Sequence, residues 1–197
     1  MAVELKKGQK VNLSKTAVSG EILINLNWTQ GITKKGLFGP TTKQQSIDLD
    51  LGAFVELNDG TKYVVQALGN SFGDLKSAPY VALDGDDRTG AALGGENIRV
   101  NGKMSTKIKR MLVYTFIYEG AASWRQADAV VTIKYAGGDD IVVRMDEYST
   151  SQTMCAIAEI VNVNGSMAIE KLIRFFNGQQ DMDNAFGWGF RWTVGRK

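Results

Sequence analysis

The residues in this chain best suited to chemistry are carboxylates set among glycines. Around the stretch GDDRTGAALGGENIRV, Gly85 to Val100, the acids Asp84, Asp86 and Asp87 fall close together, and Glu96 follows a run of Gly and Ala. The small residues let main-chain carbonyls turn inward beside those side chains. A second pair stands upstream in IDLDLGAF, where Asp48 and Asp50 alternate with Ile47, Leu49 and Leu51. That is strand periodicity, which projects both carboxylates from one face while the apolar residues enter a core. Two carboxylates about 4 Å apart repel by roughly 1 kcal/mol in water and about 4 kcal/mol at an effective dielectric near 20, so converging acids need a counter-charge. Ca²⁺ takes about six to eight oxygen ligands and suits this composition, whereas zinc prefers His and Cys, and magnesium keeps more of its water. Two other readings use the same residues: Arg88 pairs with its neighbours, or the acids are solvated turn residues. The loop is not an EF-hand. Counting from Asp84, the fifth, sixth and twelfth places hold Arg88, Thr89 and Gly95, where that motif wants an oxygen ligand, Gly and Glu.

Composition narrows the chemistry further. The chain has no histidine, which removes imidazole acid–base catalysis, serine–histidine triads and imidazole metal ligands together. Cys155 is the only cysteine, so no intramolecular disulfide, C-x-x-C pair or zinc ribbon can form. Thiol-driven reduction ending in a disulfide within one chain is excluded with them. The formal charge is +2, and the basic groups at Lys6, Lys7 and Lys10 and at Lys103, Lys107, Lys109 and Arg110 lack the interleaved aromatic residues of a nucleic-acid platform. No nucleic-acid partner is expected. There is no apolar run of signal-peptide or membrane-span length, so the expectation is a cytoplasmic protein with no direct membrane insertion.

The elements that must position the acids are strands. Period-2 patterns run over Ile22–Trp28, Ile47–Leu57, Lys62–Gln66, Ile98–Val100, Met111–Tyr118, Ala129–Tyr135, Ile141–Met145, Met154–Val163, Met167–Phe176 and Gly187–Val194. Asn58-Asp59-Gly60, Gly137-Gly138-Asp139-Asp140 and Asn164-Gly165 supply hairpin turns. The Gly-rich segments at Thr33–Pro40 and Leu68–Pro79 read as loops, and NGQQDMDN as a turn region before the last strand. With at most a short helical turn around Ala122–Ala127, the fold class is all-β: a two-sheet β-sandwich, mostly antiparallel, carrying a long Gly-rich metal-binding loop. At 197 residues with 44% apolar composition, the chain is expected to form one domain over 1–197.

Together these pieces resemble the TerD/TerA group of tellurium-resistance and stress-response proteins. LKKGQKVNLSK resembles that family's leading strand, IDLDLGAF its Asp-x-Asp strand, and GDDRTG followed by Gly-Glu its metal-binding loop; MCAIAEI, RFFNGQQDMD and GWGFRW resemble the TerA-like branch. The resemblance implies a calcium-binding TerD-like β-sandwich that works with other tellurium-resistance and stress proteins, some of them membrane-associated. It places Asp48, Asp50, Gly85, Asp86, Asp87, Arg88, Thr89, Gly90 and Glu96 on the calcium motif, with Asp84 beside them. This chain departs from the TerD pattern in having Asp87 where Gly-Asp-Asn is usual, and Gly94, Gly95 and Glu96 where the loop usually ends in an acidic cluster. Fewer carboxylates imply one calcium ion in place of two, or one held weakly.

Outside that motif, Asp181 and Asp183 repeat the Asp-x-Asp spacing and offer a second cation site, against which stands a turn or edge role. Cys155 lies in an apolar run, as a buried structural thiol does. Trp188 and Trp192 alternate with the intervening residues along with Phe186 and Phe190, as core aromatics closing the sandwich or as a partner surface. The functional expectation is a non-enzymatic, calcium-responsive interaction module in which the ion joins the Asp48/Asp50 strand to the Gly85–Glu96 loop. The alternative is a calcium-dependent, lectin-like carbohydrate-binding sandwich, and a carboxylate hydrolase comes third.

Overall fold

In the computed structural model the strand that carries Asp48 and Asp50 is the most enclosed element of the molecule. Residues 2–13, 19–29, 47–85, 94–120, 124–145 and 150–193 are described. In chain order the strands are β1 (Ala2–Glu4), β2 (Lys10–Leu13), β3 (Glu21–Asn27), β4 (Asp48–Leu57), β5 (Lys62–Val65), β6 (Gly73–Asp74) and β7 (Val81–Leu83). They continue with β8 (Glu96–Asn101), β9 (Ile108–Glu119), β10 (Val130–Lys134), β11 (Asp140–Arg144), β12 (Met154–Val163) and β13 (Ser166–Phe176). Two helices, α1 (Trp124–Ala127) and α2 (Gln179–Phe186), and 3-10 turns at Leu68–Asn70 and Gly102–Lys107 complete the set.

Among the described residues the strands form a seven-stranded sheet, β1-β11-β10-β3-β8-β7-β6, and a six-stranded sheet, β2-β13-β12-β9-β4-β5. The expected all-β sandwich is the observed fold. Pairing is antiparallel except for β1 against β11, which is parallel. The core fills the space between the sheets: Ile24, Leu26, Ile98 and Val131 from one meet Leu49, Leu51, Val55, Val113 and Ile169 from the other. Each such side chain contributes roughly 1.5–3 kcal/mol on burial, so alternating apolar positions decide which face turns inward. The Asn164-Gly165 turn joins β12 to β13 with φ of 54° and 83°, the paired positive values that a two-residue hairpin demands.

Strand β4 is buried along its whole length, on both faces. Leu49, Leu51, Ala53 and Val55 enter the inter-sheet core, while Phe54 belongs to a second apolar cluster with Tyr114, Phe116, Phe176, Met182 and Trp188 on the outer side of the same sheet. That side is covered by α2 and the chain after it. Two sequence expectations are corrected here. Residues Gly187–Val194 are not a strand as far as Thr193, and QQDMDN, read as turn, lies in α2. The eight-residue helix places Met182 and Phe186, four apart, against the apolar outer face of the sheet.

The chain's opening residues serve both sheets. β1 joins the seven-stranded sheet and β2 the six-stranded one, with buried Leu5 at the crossing. Lys171 Nζ donates to the Leu5 carbonyl at 2.6 Å, which gives that buried ammonium an acceptor. No helix among the described residues is long and apolar enough to cross a membrane.

Candidate metal centre

β4 places Asp50, fully buried, and Asp48, at 5% exposure, near the start of the strand. Trp28 anchors that start by donating its indole N–H to the Ile47 carbonyl at 2.7 Å. Glu96, at 2% exposure, opens β8 in the opposite sheet. Its Oε2 accepts the Leu51 N–H at 2.7 Å, a contact between residues 45 apart in sequence. The end of the acidic loop thus meets β4 at Glu96. Removing carboxylates from water costs several kcal/mol each unless donors or cations receive them. The Leu51 N–H is one such donor.

Local chemistry explains how Glu96 reaches across. Gly95 has φ +65°, and a Cβ there would fall 2.0 Å from the Leu26 carbonyl oxygen, so β8 can approach β3 this closely only with glycine. Asn25 secures the same corner, with Nδ2 donating to the Gly94 carbonyl and to Asn97 Oδ1, the latter at 2.9 Å.

The remaining candidate ligands divide. Asp84 sits on the outer side of β8, where both its oxygens accept from Arg99 Nε at 2.8 Å, and Arg99 also pairs with Glu21. The cation meeting Asp84 is thus Arg99. Gly85 is half-buried beside it. Asp86, Asp87, Arg88, Thr89 and Gly90 lie outside the described residues. Among the described residues, no group of three or more Cys, Asp or Glu side chains is arranged to hold a metal ion. Asp48 and Asp50 lie on β4, both buried.

Asp181 and Asp183 do not face one another as a ligand pair. Asp181 is exposed in the first turn of α2, where a negative charge favours the helix end. Asp183 is buried, and its carboxylate accepts from Gly189 N at 2.6 Å, Phe190 N at 2.9 Å and Trp192 Nε1 at 2.7 Å. Those bonds fold residues 187–193 back as a strap over Phe54, whose ring lies 5.6, 5.0 and 5.6 Å from those of Trp188, Phe190 and Trp192. A detectable sequence signal was Gly187, which stops α2 with φ +65°.

Three side chains outside the sequence expectations tie the strap to the sheet. Glu56, nearly buried, accepts from Lys109 Nζ at 2.7 Å and Arg110 Nε at 2.6 Å. Arg110 in turn stacks on Trp188 at 4.1 Å and donates to the Phe186 carbonyl at 3.2 Å. Burial pushes the Glu56 carboxyl up, but the hydrogen bonds and charges of Lys109 and Arg110 outweigh it and leave the group below its ordinary 4.5. A carboxyl depressed in the folded state stabilises fully above its unfolded value and loses that contribution as pH falls through the folded one. Denaturation midpoints of wild type and Glu56→Gln are therefore expected to differ at neutral pH and to converge as pH falls below the ordinary 4.5 and through the depressed folded value. A constant difference across that range would assign the loss to packing.

Tyr114 connects the two regions. Its ring lies over Gly52, where a Cβ would come within 2.4 Å, and its hydroxyl donates to Gln66 Oε1 at 2.7 Å. Gln179, the first residue of α2, donates to both Gln66 Oε1 and the Tyr114 oxygen. Burial chiefly raises the Tyr114 phenol, the Gln179 hydrogen bond lowers it, and the Asp50 charge adds to the rise. Cys155 is fully buried, and burial pushes its thiol well above the ordinary range, which disfavours the reactive thiolate.

Comparison with known proteins agrees with this architecture. The TerD domain profile matches residues 1–171. Tellurium resistance protein TerA of Alcaligenes sp is 50% identical over 193 residues, covering 98% of this chain and 57% of that protein. The chain thus spans little more than half the length of this relative. The crystal structure of a homologue of telluride resistance protein (TerD) from Streptomyces coelicolor A3(2) superposes with a TM-score of 0.58 at 18% identity, covering 83% of this chain and 94% of that one. A second crystal structure, of a protein of unknown function, gives 0.57 at 16% identity, covering 87% and 98%. These two likenesses carry the fold alone. The sandwich, the Asp-x-Asp strand and the profile match over residues 1–171 lead to one conclusion: the chain belongs to the TerD-domain family.

Proposed function

We propose that this chain is a calcium-binding interaction module of tellurium resistance and stress response, without enzymatic activity of its own. The supporting observation is the Glu96 carboxylate, which crosses from β8 to the Leu51 N–H next to buried Asp50. Carboxylate oxygens such as those of Asp48, Asp50 and Glu96 are the donors a hard cation takes. In this reading Asp48 and Asp50 hold the ion together with Asp86, Asp87 and carbonyls of the 85–90 loop. The bound ion supplies positive charge that offsets the mutual repulsion of the acids.

The chain's own residues then order the surface. Asp50 shares its environment with the Tyr114 phenol, and Tyr114 and Gln179 link that environment to α2 and the strap. The ordered outer face is where other tellurium-resistance or stress proteins, including membrane-associated ones, dock in the cytoplasm. Calorimetric titration with Ca²⁺ and paired thermal melts test the reading. At a hundredfold excess over the dissociation constant, binding to the folded state alone adds about 2.7 kcal/mol, a rise in Tm of roughly 5–10 °C over EDTA-treated protein. Asp86→Ala is expected to remove that rise. Coincident melts together with no heat of Ca²⁺ binding would end the proposal.

A further inference from the structure

Far from these acids, at the other end of β4, the molecule has an open cleft of about 320 Å³. Leu57 lines it seven residues beyond Asp50, roughly 23 Å along an extended strand. Its walls come from three separate pieces of chain: the β4–β5 turn, the loop before β7 and the 3-10 turn before β9. Hydrogen bonds hold the pieces in register. Asn58 N donates to the Lys107 carbonyl at 2.9 Å, and Asn58 Nδ2 to the Thr106 carbonyl at 2.5 Å.

Tyr80 is held in the cleft at a conformational cost. Its φ of 63° lies in the left-handed region, where a bulky residue is an outlier costing about 1–3 kcal/mol. Surrounding bonds enforce it: Tyr80 N donates to the Ser77 carbonyl at 2.8 Å, and Asn101 N donates to the Tyr80 carbonyl at 2.9 Å. Strain maintained in this way directs a half-buried phenol into a cleft that Tyr63 also lines. Lys107 stands over the Tyr80 ring at 5.3 Å, with Nζ 3.3 Å from its hydroxyl, and among the described residues it forms no ion pair. On the turn, Asp59 is exposed, and hydrogen bonds from Thr61 hold its carboxyl below the ordinary value.

The polar inventory selects the ligand. Lys107 and the phenols donate, whereas Asp59 and Asn58 Oδ1 accept. An anion would meet the Asp59 carboxylate and a cation the Lys107 ammonium. A ligand rich in hydroxyls satisfies both kinds of group, because each hydroxyl donates and accepts. The rings of Tyr63 and Tyr80, with Leu57, offer apolar surface to the C–H face of such a ligand. We infer that the cleft between Tyr63, Tyr80, Asp59 and Lys107 is a binding site for a neutral sugar or polyol, independent of the cation proposed at Asp48 and Asp50.

Saturation-transfer NMR on the whole chain tests this with glucose, galactose and mannose as probes, and acetate, inorganic phosphate and glycine as charged comparators. At least one sugar is expected to receive saturation at its ring protons, equally with Ca²⁺ or EDTA. Tyr80→Gly removes the ring while suiting the positive φ, so the amide spectrum should stay folded. That variant and Asp59→Asn should each weaken the sugar at least tenfold. Binding by the charged comparators alone would overturn the ligand class. Sugar binding that persists in folded Tyr80→Gly, or that EDTA abolishes, would overturn the site, and so would the absence of transfer to every sugar.

Discussion

Asp183→Ala is expected to release the strap from the outer sheet face and to lower stability by about 3 kcal/mol or more. The wild-type carboxylate is 2% exposed and accepts three N–H groups from residues 189, 190 and 192. Alanine offers none, so Trp192 loses its indole acceptor and two backbone amides need water. With all three bonds gone the strap is free to lift, which also exposes Trp188, fully buried in the wild type. For a chain of this size each kcal/mol moves Tm by about 2–4 °C, so a drop of roughly 6–12 °C should be measured. The tryptophan emission maximum should move to the red, and protease should cut after Phe176. Asp183→Asn, which keeps carbonyl acceptance, should fall between the two. An alanine variant with an unchanged melt and emission maximum would show that the aromatic contacts hold the strap unaided.

Gly95→Ala is the second large effect, and its contrast with Gly85→Ala makes it specific. Both glycines flank the acidic loop. At Gly85 an added Cβ meets nothing within 4 Å, whereas at Gly95 it would lie 2.0 Å from the Leu26 carbonyl oxygen with φ at +65°. Left-handed backbone costs alanine about 1–2 kcal/mol, and a clash with main chain adds about 1–3 kcal/mol because neither strand can rotate away. Gly85→Ala should stay within about 0.5 kcal/mol of wild type. Gly95→Ala should lose about 3 kcal/mol, and the Leu51 amide resonance should shift as Glu96 withdraws from it. Equal melts for the two variants would remove the close approach of β8 to β3 from the account.

These two sites show how far periodicity reaches. Trp188, Phe190 and Trp192 do alternate, and all three rings touch Phe54, so alternation correctly indicated an extended segment with one apolar side. The strand assignment failed because strand character also needs a backbone partner, and here the N–H groups of Gly189 and Phe190 go to the Asp183 side chain. Spacing made Asp183 a possible cation ligand. Burial and three donors make it a fold-back clamp. β7 escaped recognition because three residues, Val81–Leu83, are too few to show a period. The Asp50 side of β4 was legible as a carboxylate face, but not as a buried one, since its cover arrives more than 100 residues later with Met182 and Trp188.

The all-β class, the inward faces of most strands, the hairpin turns and the acidic residues that set the candidate chemistry are legible in the order of residues. These follow from side-chain type at adjacent positions, where a period of two and a glycine's freedom act locally. The meeting of Glu96 with β4, the commitment of Asp84 to Arg99, the Asp183 clamp on the strap, and the cleft shared by Tyr63, Tyr80, Asp59 and Lys107 arise in the folded molecule. Each of those outcomes depends on which distant segments are brought within about 3–5 Å, where hydrogen bonds and ion pairs act. Sandwich topology sets that proximity.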